Sequence, residues 1–270
     1  MSPSSKAKSA AKNAEPFSLV PYAVQRRLYE FVLRSMLVRE YLGLQDRVHT
    51  DFAEIGAVAA LLDSDLVFPA AHSIGARVVR CSDLTTVEAE LALAHHTHAH
   101  TLAQVAPAAG SAAEAMLTTI VSQLLADPKR LAVVPTVELA EPAWQSVLRL
   151  AGRHRLPILF IVPGHIAGRR ESTDLRTIYA ELGIPVMTID ANDPIAAYRV
   201  ATEAAHNARS GRGATVLEAA SIQTRNAEIN SQHPLEHLEE YMRRKGSWDD
   251  HWRAEIDVSA REALKRELSA

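Results

Sequence analysis

GIPVMTIDANDPIAAYRVATEAAHNARSGRGATVLEA, residues 183–219, decides the fold because it predicts one complete β-α-β unit. The apolar run at 186–189 predicts a first strand, and the run at 214–219 predicts a second, buried strand. Apolar residues recur at helical spacing between the two runs. Two strands joined by a crossover helix are typical of a parallel sheet.

The helix of this unit carries its own start and stop signals. Asp193 is a typical N-cap residue, and Pro194 suits the first turn, where a missing N–H leaves no hydrogen bond unmade. Arg209 falls in the last turn, where a cation is favourable for the helix dipole. Gly211 and Gly213 are expected to end the helix before the second strand.

Outside this unit, short apolar runs alternate with helical patterns. The runs that predict strands are 131–137, 156–163, 185–189 and 214–220. The predicted helices are a long one beginning at Tyr22, and others at 51–62, 85–100, 112–126, 141–154, 174–182, 194–209, 234–244 and 248–268. Strict alternation predicts a three-layer α/β fold with a doubly wound, mainly parallel sheet. Active sites of such sheets lie at the carboxyl ends of the strands.

Composition narrows the classes of protein to consider. We expect a disordered tail at 1–16, which has no large apolar side chain after Met1, and a single α/β domain at 17–270 with peripheral C-terminal helices. A formal net charge of −3 gives no electrostatic basis for binding nucleic acid. No apolar run approaches the length of a membrane span. The single cysteine, Cys81, excludes an intramolecular disulfide and is consistent with a cytoplasmic protein.

Three blocks of the chain, within residues 17–264, resemble a known family. The block at 141–162 reads EPAWQSVLRLA at 141–151 and LPILFIV at 156–162, and the other two blocks are 64–91 and 183–219. Together they resemble the alpha subunit of thiamine-diphosphate-dependent 2-oxo acid dehydrogenases. The resemblance implies a thiamine-diphosphate-binding fold, oxidative decarboxylation of a 2-oxo acid, and a cofactor held between alpha and beta chains of an α₂β₂ heterotetramer.

The positions that match the family's cofactor motifs carry different chemistry. In the family, an Asp between two glycines and an Asn of a later Asn-Asn pair ligate Mg²⁺, which bridges the cofactor's diphosphate. The matching positions here are Thr136, between Pro135 and Val137, and the pair Gly164-His165. Thr136 brings no carboxylate, Gly164 has no side chain, and His165 is a poor ligand for magnesium.

Further departures concern the diphosphate itself. Residues 68–75, FPAAHSIG, match a family motif whose Tyr and Arg grip the diphosphate, and here those two positions are Ala71 and His72. The family's His-Ser pair of a later loop is absent from the matching RNAE at 225–228. We therefore expect no cofactor. The alternative is retained thiamine diphosphate with magnesium, for which Glu138, His72 and His165 are the candidate replacement contacts.

A histidine-rich run, AHHTHAH at 94–100, is the other candidate site. On a helix His96 and His100 lie on one side, four residues apart, which is a spacing that metal sites use. His95 and His98 lie on another side, so all four cannot converge. An ordinary helix surface or a subunit contact is the preferred interpretation, with His96 and His100 as the metal candidates.

These observations lead to three hypotheses. The first is a divergent alpha-subunit-like protein that is catalytically inactive by itself and acts as a structural or regulatory subunit, or as a pseudoenzyme. It would associate with itself or with a beta-subunit-like chain, and with neither nucleic acid nor membrane. The second is an active oxidative decarboxylase subunit with non-standard metal ligands. The third is a metal or small-molecule binding protein that uses the vacated cleft.

Overall fold

The computed structural model describes residues 19–41, 51–68, 74–80, 110–127, 129–135, 142–163, 172–220 and 234–268. In chain order its helices are α1 (Tyr22–Tyr41), α2 (Asp51–Ala59), α3 (Gly75–Arg80), α4 (Gly110–Ala126), α5 (Pro142–Arg153), α6 (Ser172–Glu181), α7 (Pro194–Asn207), α8 (Pro234–Lys245) and α9 (Asp250–Leu268). Its strands are β1 (Leu66–Val67), β2 (Ala132–Pro135), β3 (Ile158–Pro163), β4 (Val186–Asp190) and β5 (Thr215–Ala220).

The five strands form one parallel sheet in the order β1-β2-β3-β5-β4. Strand β3 lies at the centre, and its residues Ile158 to Ile161 are at most 2% exposed because both faces of the sheet are covered. Such strands are apolar on both faces, which is why ILFIVP forms a central strand rather than an amphipathic one. The prediction of a doubly wound parallel sheet is confirmed.

Two apolar cores lie on opposite faces of the sheet. Leu159, Ile161 and Leu217 point to the face that α2, α3 and α7 cover. Phe160 and Val216 point to the other face, covered by α4, α5 and α6. Side chains alternate between the two faces, as the pleat requires. The structure is therefore a three-layer α/β fold.

Helices α1, α8 and α9 form a further core outside α2 and α7. Its centre is an aromatic cluster in which Tyr29 lies 5.5 Å from Trp248 and 5.3 Å from Trp252, measured between ring centroids. The guanidinium of Arg243 lies 4.5 Å from the Trp248 ring centroid, and that of Arg26 lies 4.9 Å from the Trp252 ring centroid. Cation–π contacts and edge-to-face packing thus fix the C-terminal helices to α1.

Small residues allow α2 and α7 to cross at very close range. A Cβ atom added to Gly56 would lie 2.2 Å from the carbonyl oxygen of Pro194 and 2.7 Å from Cβ of Ala197. Ala53 and Ala57 flank Gly56 on α2 and are fully buried. Side chains of ordinary size would force the helices apart, so the sequence of small residues sets the distance between them.

The local signals of the β-α-β unit act as the sequence predicts. Asp193 caps α7, with Oδ1 accepting a hydrogen bond from the backbone N–H of Ala196 at 2.9 Å. The end of α7 is a π-helical turn, Ala208–Arg212, and Gly211 adopts a positive φ of 79° there. A residue with a Cβ rarely adopts this angle, which explains the glycine.

Most predicted elements match the structure within a few residues, but neither the short helix α3 nor the strand β1 was predicted. The two-residue strand β1 was not predicted, because LVF is too short to show a strand period. The predicted helix at 85–100 lies outside the described residues, as does the predicted tail at 1–16. Among the described helices, none combines the length and the apolar character needed to cross a membrane.

Candidate functional site

The carboxyl ends of β2 and β3 mark the place where the cofactor motifs of the family would lie. Strand β2 ends at Pro135 and β3 ends at Pro163, and Pro135 pairs with Ile161 across the parallel ladder. The two strands therefore end at the same edge of the sheet, and β3 extends two residues further than β2. Thr136 directly follows β2, and Gly164 directly follows β3.

The predicted site residues themselves are not among the residues that the structure describes. His72, Thr136, Glu138, Gly164 and His165 all lie outside the described ranges, as do the metal candidates His96 and His100. The structure thus fixes the strand ends that precede Thr136 and Gly164.

The described residues that close β2 and β3 are not metal ligands. Pro135 and Pro163 close their strands without a side-chain oxygen. Within the described ranges no three His, Cys, Asp or Glu side chains are grouped so that they can hold a metal ion. Magnesium requires oxygen ligands in near-octahedral geometry, and the positions that match the family's ligands, Thr136 and Gly164-His165, lie outside the described ranges.

One acidic side chain near this edge, Glu218 of β5, is already engaged. Its Oε2 accepts a hydrogen bond from Thr188 Oγ1 at 3.1 Å and pairs with the guanidinium of Arg176. Glu218 is buried, whereas the Arg176 side chain is 58% exposed. Two donors on one oxygen make this carboxylate a structural anchor that ties α6 and β4 to β5.

The second acidic side chain near this edge is that of Asp190, the last residue of β4. Oδ1 of Asp190 accepts a hydrogen bond from the backbone N–H of Asn192 at 2.9 Å, which shapes the turn before α7. Burial raises the pKa of Asp190, and the charge of Asp193 acts in the same direction. The hydrogen bond from Asn192 and the charge of His237 oppose the rise in this pKa.

The raised pKa of Asp190 predicts a pH dependence of stability. The folded chain holds this proton to a higher pH than the unfolded chain, so the contribution of Asp190 is most favourable at low pH and is lost as pH rises through its folded pKa. Asp190→Asn keeps an oxygen for the Asn192 N–H and cannot ionise. We expect the variant to be more stable than the parent chain at pH 7, and the difference to shrink towards pH 4, in urea unfolding followed by circular dichroism.

Asp127→Asn is the matched control for this experiment. Asp127 is exposed and accepts an equivalent hydrogen bond, from the backbone N–H of Lys129 at 3.1 Å. This variant measures the general effect of an Asp-to-Asn substitution at an exposed turn position. A stability difference for Asp190→Asn that does not vary between pH 4 and pH 7 would contradict the assignment.

A buried charge network at the opposite edge of the sheet was not predicted from sequence. The Asp65 side chain is fully buried, and its oxygens accept hydrogen bonds from the backbone N–H groups of Leu62 at 2.8 Å and Leu131 at 3.0 Å. It also forms an ion pair with Arg209, which lies 144 residues later. The only sequence signal was an acidic residue beside an apolar run, and this signal does not identify the distant partner. Arg209 was assigned to the helix dipole alone.

Comparison with known proteins now adds an independent observation. Residues 147–269 match the family described as dehydrogenase E1 component. The match includes the whole of the β-α-β unit at 183–219, all of β3 and the greater part of α5, and it does not extend to the block at 64–91. No curated protein matches the chain. Residues 147–269 are therefore similar to the dehydrogenase E1 component, and the three-layer α/β fold agrees with the resemblance to 2-oxo acid dehydrogenase alpha subunits.

Proposed function

We propose that this protein is a divergent alpha-like subunit that keeps the scaffold of the family and has lost its magnesium–diphosphate site. It acts as a structural or regulatory partner rather than as a catalyst by itself, either with a beta-subunit-like chain or with further copies of itself. We also place it in the cytoplasm, as a chain with one cysteine suggests.

One observation carries the proposal: the residues that directly follow β2 and β3 are not the magnesium ligands that the family has there. The family's magnesium ligands are expected after these two strands, and the strand ends at Pro135 and Pro163 agree with that register. The chain continues with Thr136 and with Gly164-His165. A hydroxyl, a hydrogen and an imidazole replace the hard oxygen donors that magnesium prefers.

The expected loss of binding free energy for the cofactor supports the same conclusion. Hydrogen bonds that involve a charged group contribute about 1.5–3 kcal/mol each. Loss of about three of them costs roughly 5–9 kcal/mol, which corresponds to a factor of about 10³–10⁶ in affinity. Such contributions are not additive, so the upper figure is a bound. Even the lower figure turns micromolar binding into millimolar binding.

An active subunit with non-standard ligands is the competing function, and the match to the dehydrogenase E1 component favours it. Glu138 lies two residues beyond Thr136, and His72 and His165 are possible phosphate donors. A metal or small-molecule binding protein is the third function. The histidine run at 94–100 and the apolar strand ends support it.

Isothermal titration calorimetry separates the first two functions. Thiamine diphosphate with Mg²⁺ is titrated into the full chain, first alone and then with a co-expressed beta-subunit-like chain. We expect no saturation below about 1 mM in either case, which corresponds to a binding free energy weaker than about −4 kcal/mol. Thiamine without the diphosphate and Mg²⁺ alone are the controls.

Saturation below about 100 μM would overturn the proposal in favour of the active subunit, since it requires more than about −5 kcal/mol of binding free energy. In that case Glu138→Gln and His165→Ala show whether the replacement ligands are the candidates named above. Zinc or nickel retained at one ion per chain after chelation and dialysis would instead support the third function, and His96→Ala with His100→Ala would then remove it.

A further inference from the structure

The outer face of α7 borders an open surface groove with a volume of about 620 Å³. Leu19, which precedes α1 and is 61% exposed, lines this groove together with α7. The α7 side chains that line it and carry the argument are Ala196, Arg199, Val200, Thr202, Glu203 and His206. The groove thus combines apolar, small and oppositely charged side chains on one helix face.

The inner face of α7 holds this outer face in a fixed position. Ala197 and Ala201 are fully buried, and the backbone at Pro194 lies against Gly56 of α2. Asp193 caps the first turn of the helix. A helix packed this closely presents its outer side chains at a fixed spacing, so a partner pays little to order the surface.

Two opposite charges on the outer face have no ion-pair partner within the described part of the chain. Arg199 and Glu203 are both exposed and lie four residues apart on α7, yet no ion pair joins them, and neither pairs with another described residue. An acidic residue that precedes a basic one is the better order for an ion pair within a helix, and here the order is reversed. Both charged groups can therefore pair with a second molecule.

The spacing of the outer side chains is self-complementary about residue 201. In two antiparallel helices that cross at this level, residues equally far before and after it lie opposite each other. The opposed pairs are Arg199 with Glu203, Val200 with Thr202, and Ala196 with His206. Each pair forms twice, once in each direction. A twofold interface requires this reciprocity, because the same patch must fit itself.

We propose that the outer face of α7 is a self-association surface, on which two copies of this chain pack their α7 helices antiparallel about a twofold axis. Two Arg199–Glu203 ion pairs join the copies, and the exposed Leu19 is covered by the second copy. This inference rests on the part of the proposed function in which the chain associates with further copies of itself. It does not depend on the loss of the cofactor site, so tight binding of thiamine diphosphate would overturn that loss and leave this surface in place.

Sedimentation velocity of the full chain, from micromolar to submillimolar concentration, tests the surface. The parent chain is expected to form a dimer. Arg199→Glu places two pairs of carboxylates face to face and Glu203→Arg two pairs of guanidinium groups, so each variant alone is expected to dimerise at least about tenfold more weakly. Arg149→Glu, at an exposed position of α5 on the other side of the sheet, is the control, and its expected change is below about twofold.

An equimolar mixture of Arg199→Glu and Glu203→Arg distinguishes a direct contact from a folding defect. Both cross-copy pairs are attractive again in the mixture, so a heterodimer is expected with an affinity within about threefold of the parent dimer. Mixing does not change the fold of either variant, so a folding defect gives no such recovery. A monomeric parent chain, a dimer that Arg199→Glu does not weaken, or a mixture that associates no better than its components would overturn the proposal. A monomer whose binding to a beta-subunit-like chain is weakened by Arg199→Glu would assign the groove to that chain and overturn it as well.

Discussion

Asp65→Ala is expected to destabilise the fold by about 3–5 kcal/mol, the cost of breaking a buried ion pair from one side. The carboxylate is fully buried, pairs with Arg209, and accepts hydrogen bonds from the backbone N–H groups of Leu62 and Leu131. Its removal leaves both N–H groups and a half-buried guanidinium without their acceptor. Urea unfolding at pH 7, followed by circular dichroism, measures the loss.

Two controls separate the ion pair from the general effect of a substitution in this turn. Asp63→Ala changes an exposed carboxylate two residues away and is expected to alter stability by no more than about 0.5 kcal/mol. Arg209→Met combined with Asp65→Ala removes both charges and is expected to recover part of the loss. A single variant Asp65→Ala within about 1 kcal/mol of the parent would contradict the account, since buried pairs cost more than that.

Gly56→Ala is expected to cost at least about 2 kcal/mol, although alanine is the better helix former. The new Cβ would lie 2.2 Å from the Pro194 carbonyl oxygen and 2.9 Å from the Tyr198 backbone nitrogen. These are backbone atoms of α7, so relief requires the helices to move apart and opens the core between them. Overpacking of a core costs up to about 3 kcal/mol, and we expect a value near this upper end because backbone atoms clash. The gain of about 0.5–1 kcal/mol in helix propensity offsets only part of this cost.

Gly152→Ala is the matched comparison within α5. Its added Cβ would lie 3.0 Å from Cβ and 3.1 Å from the carbonyl oxygen of Leu182, which a shift of a few tenths of an ångström relieves. The gain in helix propensity then roughly offsets the strain, so we expect a change within about 1 kcal/mol. Thermal unfolding of the two variants side by side tests the contrast. Equal melting temperatures would show that α2 and α7 do not cross as closely as described.

Sequence reasoning succeeded where the signal is local. The cap at Asp193, the positive φ at Gly211 and the alternation of apolar runs with helical patterns each depend on a few adjacent residues. It failed where the partner lies far along the chain. The pairing of Arg209 with Asp65 spans 144 residues, and the approach of Gly56 to Pro194 spans a similar distance. Nothing near either residue identifies its partner.

The candidate site was predicted from sequence only in part. The positions of Thr136 and Gly164 follow from counting along matched blocks, and the ends of β2 and β3 agree with that count. Side-chain geometry beyond those ends cannot be derived from such a count. Loop conformation depends on contacts that leave no periodic pattern in the sequence. Thr188 was not predicted either, since a threonine in a strand looks like an ordinary packing residue.

A crystal structure grown with millimolar thiamine diphosphate and Mg²⁺ shows whether this chain has lost the magnesium–diphosphate site. We expect a folded three-layer chain with the sheet order β1-β2-β3-β5-β4, and no diphosphate or metal density beyond Pro135 of β2 and Pro163 of β3. Density for the coenzyme at those two strand ends, with a six-coordinate metal ligated by residues of this chain, would contradict it.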